Sequence, residues 1–160
     1  DAVEATKAAI EEGVIAGGGT ALVRAGQKVA GRNLKAPSAD IAHEFQVGVE
    51  ILLRALEAPL RQIAVNAGRG TGEVIVAEIK QGHGHEGYDA NADKIVDDMF
   101  AAGIIDPVKV TRTALERAAS AAAILLTTEA AVADAPEKEK AGGHGHGGGG
   151  MPGGMPDMDY

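Results

Sequence analysis

Three consecutive glycines, Gly17, Gly18 and Gly19, are the residues whose type and spacing point first to a ligand site. Glycine loses more backbone entropy on folding than any other residue, so the run indicates positive φ angles or a ligand close to the bare backbone. Thr20 follows as a predicted N-cap, which would place the glycines at the positive end of a helix. That position suits a phosphate, a nucleotide or a plain helix–turn–helix corner. The spacing fits neither a dinucleotide fingerprint nor a P-loop.

Aspartates and histidines are the other side chains with potential chemistry. Asp1 is a first-turn acid of the kind that a helix dipole favours, and Asp106 before Pro107 is typical of a helix start. Two His-Gly-His pairs occur, at 83–85 and 144–146. Both lie on glycine-rich segments without fixed geometry, so solvated histidines are favoured and no metal site is predicted.

Helical periodicity must position these residues, because apolar side chains recur at three- and four-residue steps along most of the chain. Pro59 interrupts the longest run, since an interior proline removes a backbone donor. Ser38, Thr71 and Asp106 are predicted N-caps, and Gly13 is a predicted helix stop. The predicted helices cover residues 1–12, 21–30, 38–66, 71–81, 93–102 and 108–128.

Apolar faces on these helices predict a mainly α fold, a helical bundle. In helix 71–81, Val76 and Ile79 are the inward candidates. Residues 82–91 break the periodicity and are predicted as a functional loop or short hairpin, and residues 129–134 as an edge strand. The predicted face of helix 108–128 contains Val110, Ala114, Leu115, Ala118, Ala122 and Leu125.

Composition limits the class of protein. The chain has 160 residues, enough for one domain, and its formal charge of -8 argues against nucleic acid or an anionic membrane as partner. It contains no cysteine, no apolar run of membrane-spanning length and no signal-peptide pattern, so a soluble, unexported protein is expected. The Gly/Met/Pro/His-rich residues 137–160 are predicted to be a disordered tail. Because the sequence begins inside a helix without Met, we expect a fragment of a longer protein.

Four motifs carry a resemblance to a known family. They are Glu-Glu-Gly with the triple glycine at 11–19, Leu-Glu-Ala-Pro-Leu-Arg-Gln-Ile at 56–63, Gly-Ile-Ile-Asp-Pro-Val-Lys-Val-Thr-Arg at 103–112, and Leu-Thr-Thr-Glu at 126–129. Together with the Gly-Gly-Met tail, they resemble in order and register the C-terminal part of the group I chaperonins, the GroEL family. The resemblance covers essentially the whole chain.

The resemblance implies an ATP-driven protein-folding chaperone of two stacked seven-membered rings, in the bacterial cytoplasm or an organellar matrix or stroma. Residues 1–12 would be the hinge helix of the intermediate domain, 13–136 the C-terminal segment of the equatorial domain, and 137–160 the flexible tail. A missing apical domain would bind the co-chaperonin GroES and unfolded proteins. A missing earlier segment would supply the phosphate loop and the Mg²⁺ ligand that accompany ATP.

Family roles transfer to matching positions of this sequence. Asp1 resembles the carboxylate that orients the water attacking the γ-phosphate. Gly17 and Gly18 resemble the glycines that face the nucleoside, and Asp106 resembles the carboxylate that holds the ribose hydroxyls. The adenine-side loop would be Asp89, Ala90 and Asn91. As an alternative, the isolated chain is a non-enzymatic assembly module that uses uncovered apolar faces, or, as a weaker reading, a metal carrier with a His/Gly tail.

One departure from the family concerns the contact between rings. Arg61 matches an arginine used there, but around Arg69 and Gly70 the acidic partner expected after the helix stop is replaced. That particular ion pair is therefore not expected in this chain.

Overall fold

Six helices and four short strands form residues 1–135, the part of the chain that this computed structural model describes. The predicted mainly α fold is confirmed. The chain divides into two units, Asp1–Leu126 and Thr127–Tyr160. The first unit contains all ten elements: α1 (Ala2–Glu12), β1 (Val14–Ala16), α2 (Thr20–Ala30), α3 (Ala42–Ala55), α4 (Ala58–Asn66), α5 (Glu73–Gln81), β2 (Gly87–Asp89), β3 (Lys94–Val96), β4 (Ile105–Pro107) and α6 (Val108–Leu126).

Two antiparallel strand pairs occur in this unit, and the first of them connects distant parts of the chain. In the first pair, β1 lies beside β4 with Ile15 opposite Asp106. In the second, β2 and β3 form a hairpin with Tyr88 opposite Ile95; its first strand lies within the loop or hairpin predicted at 82–91, and its second strand lies beyond it. The β1–β4 pair brings the residues just before the triple glycine to the residues just before α6.

The core lies between α2, α4, α5 and the hairpin. Tyr88 is the one aromatic side chain in this core, and the predicted inward residues Val76 and Ile79 are both buried. Small and branched aliphatic side chains let the helices approach closely, as protein interiors require. The buried core residues are Val23, Leu60, Ala64, Ile75, Val76, Ile79 and Tyr88.

Several predicted helix ends are confirmed. Gly13 ends α1 with a φ of 84° and donates its N–H to the Ala9 carbonyl. Pro59 lies in the first turn of α4, so the long predicted helix restarts there. Gly68, with a φ of 83°, follows the end of α4. Proline at a helix start and glycine beyond its end are both favoured by their backbone geometry.

The predicted N-caps Thr20 and Thr71 are wrong. The N-cap of α2 is Gly19, with a φ of 78°, and that of α5 is Gly72, with a φ of 74°. Both positions need the left-handed region, which threonine avoids because its Cβ clashes with the backbone. Thr20 instead becomes the first residue of α2 and is 1% exposed.

The predicted cap Ser38 is also wrong, since α3 begins at Ala42 after Ile41. The Ser38 hydroxyl hydrogen-bonds the Asp40 carboxylate and lowers its pKa, so it is engaged before the helix starts. A side chain bonded within its own turn competes with helix capping.

The predicted helix at 93–102 is wrong. The segment contains β3 followed by turns, and Asp93 has a φ of 52°. Asp98 accepts hydrogen bonds from the Phe100 and Ala101 N–H groups, which closes a turn instead of a helix. Branched Ile and Val at neighbouring positions favour pairing with β2 over helix formation.

The second unit has no regular secondary structure in its described residues, 127–135. The edge strand predicted at 129–134 is therefore wrong. Alanine has little strand preference, Val132 is fully exposed, and no partner strand is present among residues 1–135. The predicted tail, 137–160, lies outside the described residues. Among residues 1–135, no helix has the length and apolarity needed to cross a membrane.

Candidate functional site

The triple glycine forms a tight turn between β1 and α2, not the corner between two helices that the sequence left open. Gly17 extends the strand pair by donating its N–H to the Ile104 carbonyl at 2.9 Å. Its own carbonyl accepts from Thr20 N–H at 3.1 Å, and the two central residues, Gly18 and Gly19, both have positive φ. This is the pattern of a mirror-image type I turn, which glycine adopts without steric cost.

The three glycines are needed for different reasons. A methyl group at Gly19 would lie 2.7 Å from the Leu60 backbone nitrogen, and one at Gly17 would lie 3.1 Å from the Ile104 carbonyl carbon. Packing thus excludes a side chain at both positions. At Gly18 the same methyl would meet Met99 Cε and the Tyr88 carbonyl oxygen at 3.7 Å, an ordinary contact distance. Gly18 is therefore the glycine whose bare backbone local packing does not require.

Asp106 lies beside this turn. It is part of β4, opposite Ile15, and is half-buried. The predicted helix start at Val108 is confirmed, but the prediction that Asp106 caps this helix is wrong, because Pro107 lies between Asp106 and the first helical residue. The N–H of Val108, the first residue of α6, donates to the Gly13 carbonyl. This N–H therefore has a backbone acceptor and does not need the Asp106 side chain.

A cavity of about 530 Å³ opens at this position and is lined by the β1–α2 turn, β4 and helices α2, α4 and α6. Gly18, Gly19 and Asp106 are among its lining residues, and Asp106 is the only ionisable one among those that belong to the described part of the chain. Most of the remaining lining is aliphatic. A largely apolar pocket of this size with a few polar groups is typical of small-molecule sites.

The structure does not bring Asp1 to this cavity. Asp1 is exposed, precedes α1 and makes no side-chain cap hydrogen bond. The helix rise of 1.5 Å per residue puts it about 18 Å along the axis from Gly13. Ion pairs from Glu11 to Lys109 and from Glu12 to Arg112 hold the far end of α1 against α6.

The predicted adenine-side residues form the turn of the β2–β3 hairpin and do not line the cavity. The Asp89 carboxylate accepts hydrogen bonds from the Asn91 and Ala92 N–H groups at 2.9 and 3.0 Å, so it closes its own turn. Ala90 packs against the core. The hairpin reaches the glycine turn through the Tyr88 carbonyl, which faces Gly18.

Asp93 is the centre of a polar cluster at the end of this turn. Its Oδ1 accepts from the Tyr88 hydroxyl at 2.7 Å and from Arg69 Nε at 2.5 Å, and its backbone carbonyl accepts from Arg69 Nη2 at 3.0 Å. These hydrogen bonds, from Tyr88 first, lower the pKa of Asp93. Burial raises the pKa of Tyr88, so its phenol stays a donor. Sequence analysis assigned no role to any of the three.

Arg61 is engaged within the chain. Its Nε donates to Glu73 at 2.7 Å and its Nη2 to Glu57 at 2.9 Å, and these carboxylates raise its pKa. Glu57 also pairs with Lys80. The Arg61 guanidinium, which the family resemblance assigns to the contact between rings, is thus paired with two carboxylates of its own chain.

The histidines of the first pair do not form a metal cluster. His85 packs edge-on against Phe100 with ring centroids 5.0 Å apart, and the exposed His83 donates its backbone N–H to Glu86. Within residues 1–135, no group of three or more potential metal ligands is present. The second pair, at 144–146, lies outside the described residues.

Several cavity residues were not identified as site residues from the sequence. Thr111 is its only polar lining side chain besides Asp106, and Leu22 and Ile63 form apolar walls. The helical spacing of Val110, Ala114, Leu115 and Ala118 was the available signal, and these four residues do line the cavity.

The chain is similar to known proteins over most of its length. The family model described as the TCP-1/cpn60 chaperonin family matches residues 1–136. The crystal structure of a group III chaperonin in the open state is similar at 26% identity with a TM-score of 0.64. The similarity covers 78% of this chain and 25% of that one, so this chain spans about a quarter of that relative's length. The mainly helical fold is that of a chaperonin equatorial domain, and the chain belongs to the TCP-1/cpn60 chaperonin family.

Proposed function

We propose that this chain supplies the nucleoside side of the ATP site in a group I chaperonin ATPase. The observation that carries the proposal is the cavity in which the bare backbone of Gly18 and the carboxylate of Asp106 meet. The positive φ of 63° at Gly18 favours glycine, and no neighbouring atom fills the space beside it as the Leu60 backbone does at Gly19. The bare backbone of Gly18 would therefore let a nucleoside approach closely.

An adenine nucleotide fits the residues present. The Asp106 carboxylate does not cap α6, and as a pure acceptor it would hold two ribose hydroxyl donors. Gly18, with Gly17 beside it, would face the sugar and base. The hairpin turn with Asp89, Ala90 and Asn91, which does not line the cavity itself, would lie on the adenine side. The phosphates and Mg²⁺ would be held by a segment outside this chain, and Asp1 would approach them by movement of α1.

Membership of group I rests on the four motifs and the Gly-Gly-Met tail. With it come proposals about assembly: a double ring of seven subunits each, binding of GroES and unfolded proteins through an apical domain, and a location in the bacterial cytoplasm or an organelle. The pairing of Arg61 with Glu57 and Glu73 favours a ring contact built on other residues.

The test compares two aspartate variants of the full-length protein that carries this chain. Asp106→Asn removes the ribose acceptor charge, and a hydrogen bond to a charged group is worth about 1.5–3 kcal/mol, so ADP affinity should fall roughly tenfold or more. Asp97→Asn makes the same charge change at an exposed position and should leave ADP affinity unchanged. Calorimetric titration with ADP measures both, and equal affinities would contradict the proposal.

Turnover separates the role of Asp1 from binding. Asp1→Asn should lower the rate of ATP hydrolysis in the full-length protein while ADP affinity stays within about twofold. The 160-residue chain alone should not hydrolyse ATP, because on this proposal the phosphate loop and the Mg²⁺ ligand belong to a segment that these residues do not include. Magnesium-dependent turnover by that chain, above a matched Asp1→Ala control, would contradict this view.

A second candidate is that the isolated chain acts as a non-enzymatic assembly module. It is favoured by the apolar side chains that α3 and α6 leave exposed, such as Ile51 at 64% and Leu125 at 71%. Exposed apolar surface of this kind drives association. Sedimentation of the isolated chain tests it, since a monomer at all concentrations would exclude the module.

A further inference from the structure

We infer that Arg69 and Asp93 are positioning residues for base recognition, because they fix the hairpin turn that carries Asp89, Ala90 and Asn91. The inference rests on the proposed nucleotide site and goes beyond it, since neither residue touches the cavity. It assigns a function to an ion pair between two segments that no sequence pattern connects.

The contacts hold Asp93 from three directions. Arg69 donates two hydrogen bonds to Asp93, from Nε to Oδ1 at 2.5 Å and from Nη2 to the backbone carbonyl at 3.0 Å. The Tyr88 hydroxyl donates to the same Oδ1 at 2.7 Å. A guanidinium that contacts side chain and backbone together fixes orientation as well as distance.

Backbone strain at Asp93 indicates that these contacts are needed. Its φ of 52° makes it the only non-glycine residue with positive φ in the described part of the chain. Such a conformation persists only where the surroundings hold it. The strained residue directly ends the turn that begins at Asp89, so the turn depends on the contacts of Asp93.

Arg69 is itself held firmly. Its N–H donates to the Ala64 carbonyl at the end of α4, and its carbonyl accepts from Gly72 N–H, both at 2.9 Å. Gly68 and Gly70, on either side of it, have positive φ. The α4–α5 junction thus presents Arg69 to the hairpin from a fixed position.

Tyr88 connects this cluster to the proposed site. Its ring is 2% exposed within the core, its hydroxyl reaches Asp93, and its carbonyl faces Gly18. The turn therefore lies beside the glycine backbone at one end and is hydrogen-bonded to Arg69 at the other. Loss of Arg69 would free the Asp93 end of the turn, so that Asp89, Ala90 and Asn91 lose their fixed position while Gly18 and Asp106 stay in place.

The experiment measures base-dependent binding in the full-length protein that carries this chain. ADP and ribose 5-triphosphate, which lacks the base, are titrated into wild type and Arg69→Ala. Misplacement of the turn should lower ADP affinity roughly tenfold, while ribose 5-triphosphate affinity changes less than about twofold. Arg112→Ala is the control for loss of an exposed, ion-paired guanidinium, because the Arg112 side chain is also 47% exposed and pairs with Glu12 and Glu116 away from the hairpin.

The outcomes separate the inference from the proposed function. If both ligands weaken equally in Arg69→Ala, or neither does, the positioning role is wrong while the nucleotide site stands. If wild type binds neither ligand, the proposed function fails, and this inference fails with it. Should Arg69→Ala not fold, Tyr88→Phe removes only one hydroxyl from the cluster and should lower ADP affinity about threefold with ribose 5-triphosphate unaffected. An unchanged ADP affinity in that variant would overturn the inference.

Discussion

The buried core and the outer helices of this chain have similar apolar composition but different surroundings. Helices α4 and α5 have nine residues each and bury five residues between them, among them Leu60 and Ile79. Helices α3 and α6 have 14 and 19 residues, and neither has a buried residue within the described structure. Leu52 at 43% exposed and Val110 at 50% show how open these faces are.

The difference shows what an amphipathic pattern can and cannot predict. A stripe of aliphatic residues along a helix indicates that this face of the helix is buried against another element. It does not indicate whether that other element belongs to the same chain. The face predicted on helix 108–128 exists in α6, yet within residues 1–126 it forms a cavity wall and an open surface rather than a core.

The strongest test of this comparison replaces one leucine by alanine in each of the two regions. Leu60→Ala removes a side chain with 0% exposure and should lower the free energy of unfolding by about 3–4 kcal/mol. Leu125→Ala, at 71% exposure, should cost less than about 0.5 kcal/mol. Urea unfolding of the chain measures both.

If Leu125→Ala proves as costly as Leu60→Ala, the α6 face is covered in solution and the comparison fails. Where Leu60→Ala is too unstable to study, Ile79→Val gives a milder core change of about 1 kcal/mol.

The glycine turn extends the comparison to the edge of the core. Gly19→Ala combines a φ of 78° with a contact at 2.7 Å to the α4 backbone, and should destabilise the chain by about 2–4 kcal/mol. Gly103→Ala has a similar φ of 72° but no atom of the described structure within 4 Å of the added carbon, so only the strain of about 1 kcal/mol remains.

The difference between these two variants in urea unfolding gives the packing contribution alone. Equal losses would mean that α4 moves aside to accept the methyl group.

The smallest expected effect concerns pH. The Tyr88 hydroxyl and the Arg69 guanidinium hold the pKa of Asp93 below its usual value. Because the folded-state pKa is the lower one, the stabilisation is present above about pH 4 and is lost as pH falls through the lowered pKa. Wild type should therefore lose stability below pH 4 more steeply than Asp93→Asn.

A series of urea unfolding curves between about pH 7 and pH 2.5 tests this slope. Asp97→Asn controls for the loss of one exposed charge. Parallel curves for wild type and Asp93→Asn would show that the Arg69–Asp93 pair does not stabilise the fold.

The sequence predicted helices well and their N-cap residues poorly. Periodicity identified α1, α2, α5 and α6, and glycine or proline marked several of their ends. Thr20 and Thr71 failed as caps because the chain enters those helices through glycines with positive φ, a requirement of tertiary packing. The helix predicted at 93–102 failed because pairing with β2 outweighed local propensity.

For the site, the sequence identified Gly18 and Asp106, which the β1–β4 pair brings to one cavity. It missed the Arg69–Asp93 pair because no short-range pattern links the α4–α5 junction to the hairpin. Long-range contacts of single polar side chains depend on the finished fold.

The β1–β4 pair also has a consequence for folding order. Its two strands come from near the two ends of the unit Asp1–Leu126, so almost the entire unit must be made before they can meet. Closing so long a loop lowers the conformational entropy of the chain before the contacts that stabilise it can form. This step is therefore slow relative to local helix formation. During synthesis, α2 would therefore form next to Gly18 before β4 with Asp106 can pair with β1. The pocket would be among the last parts of the unit to form.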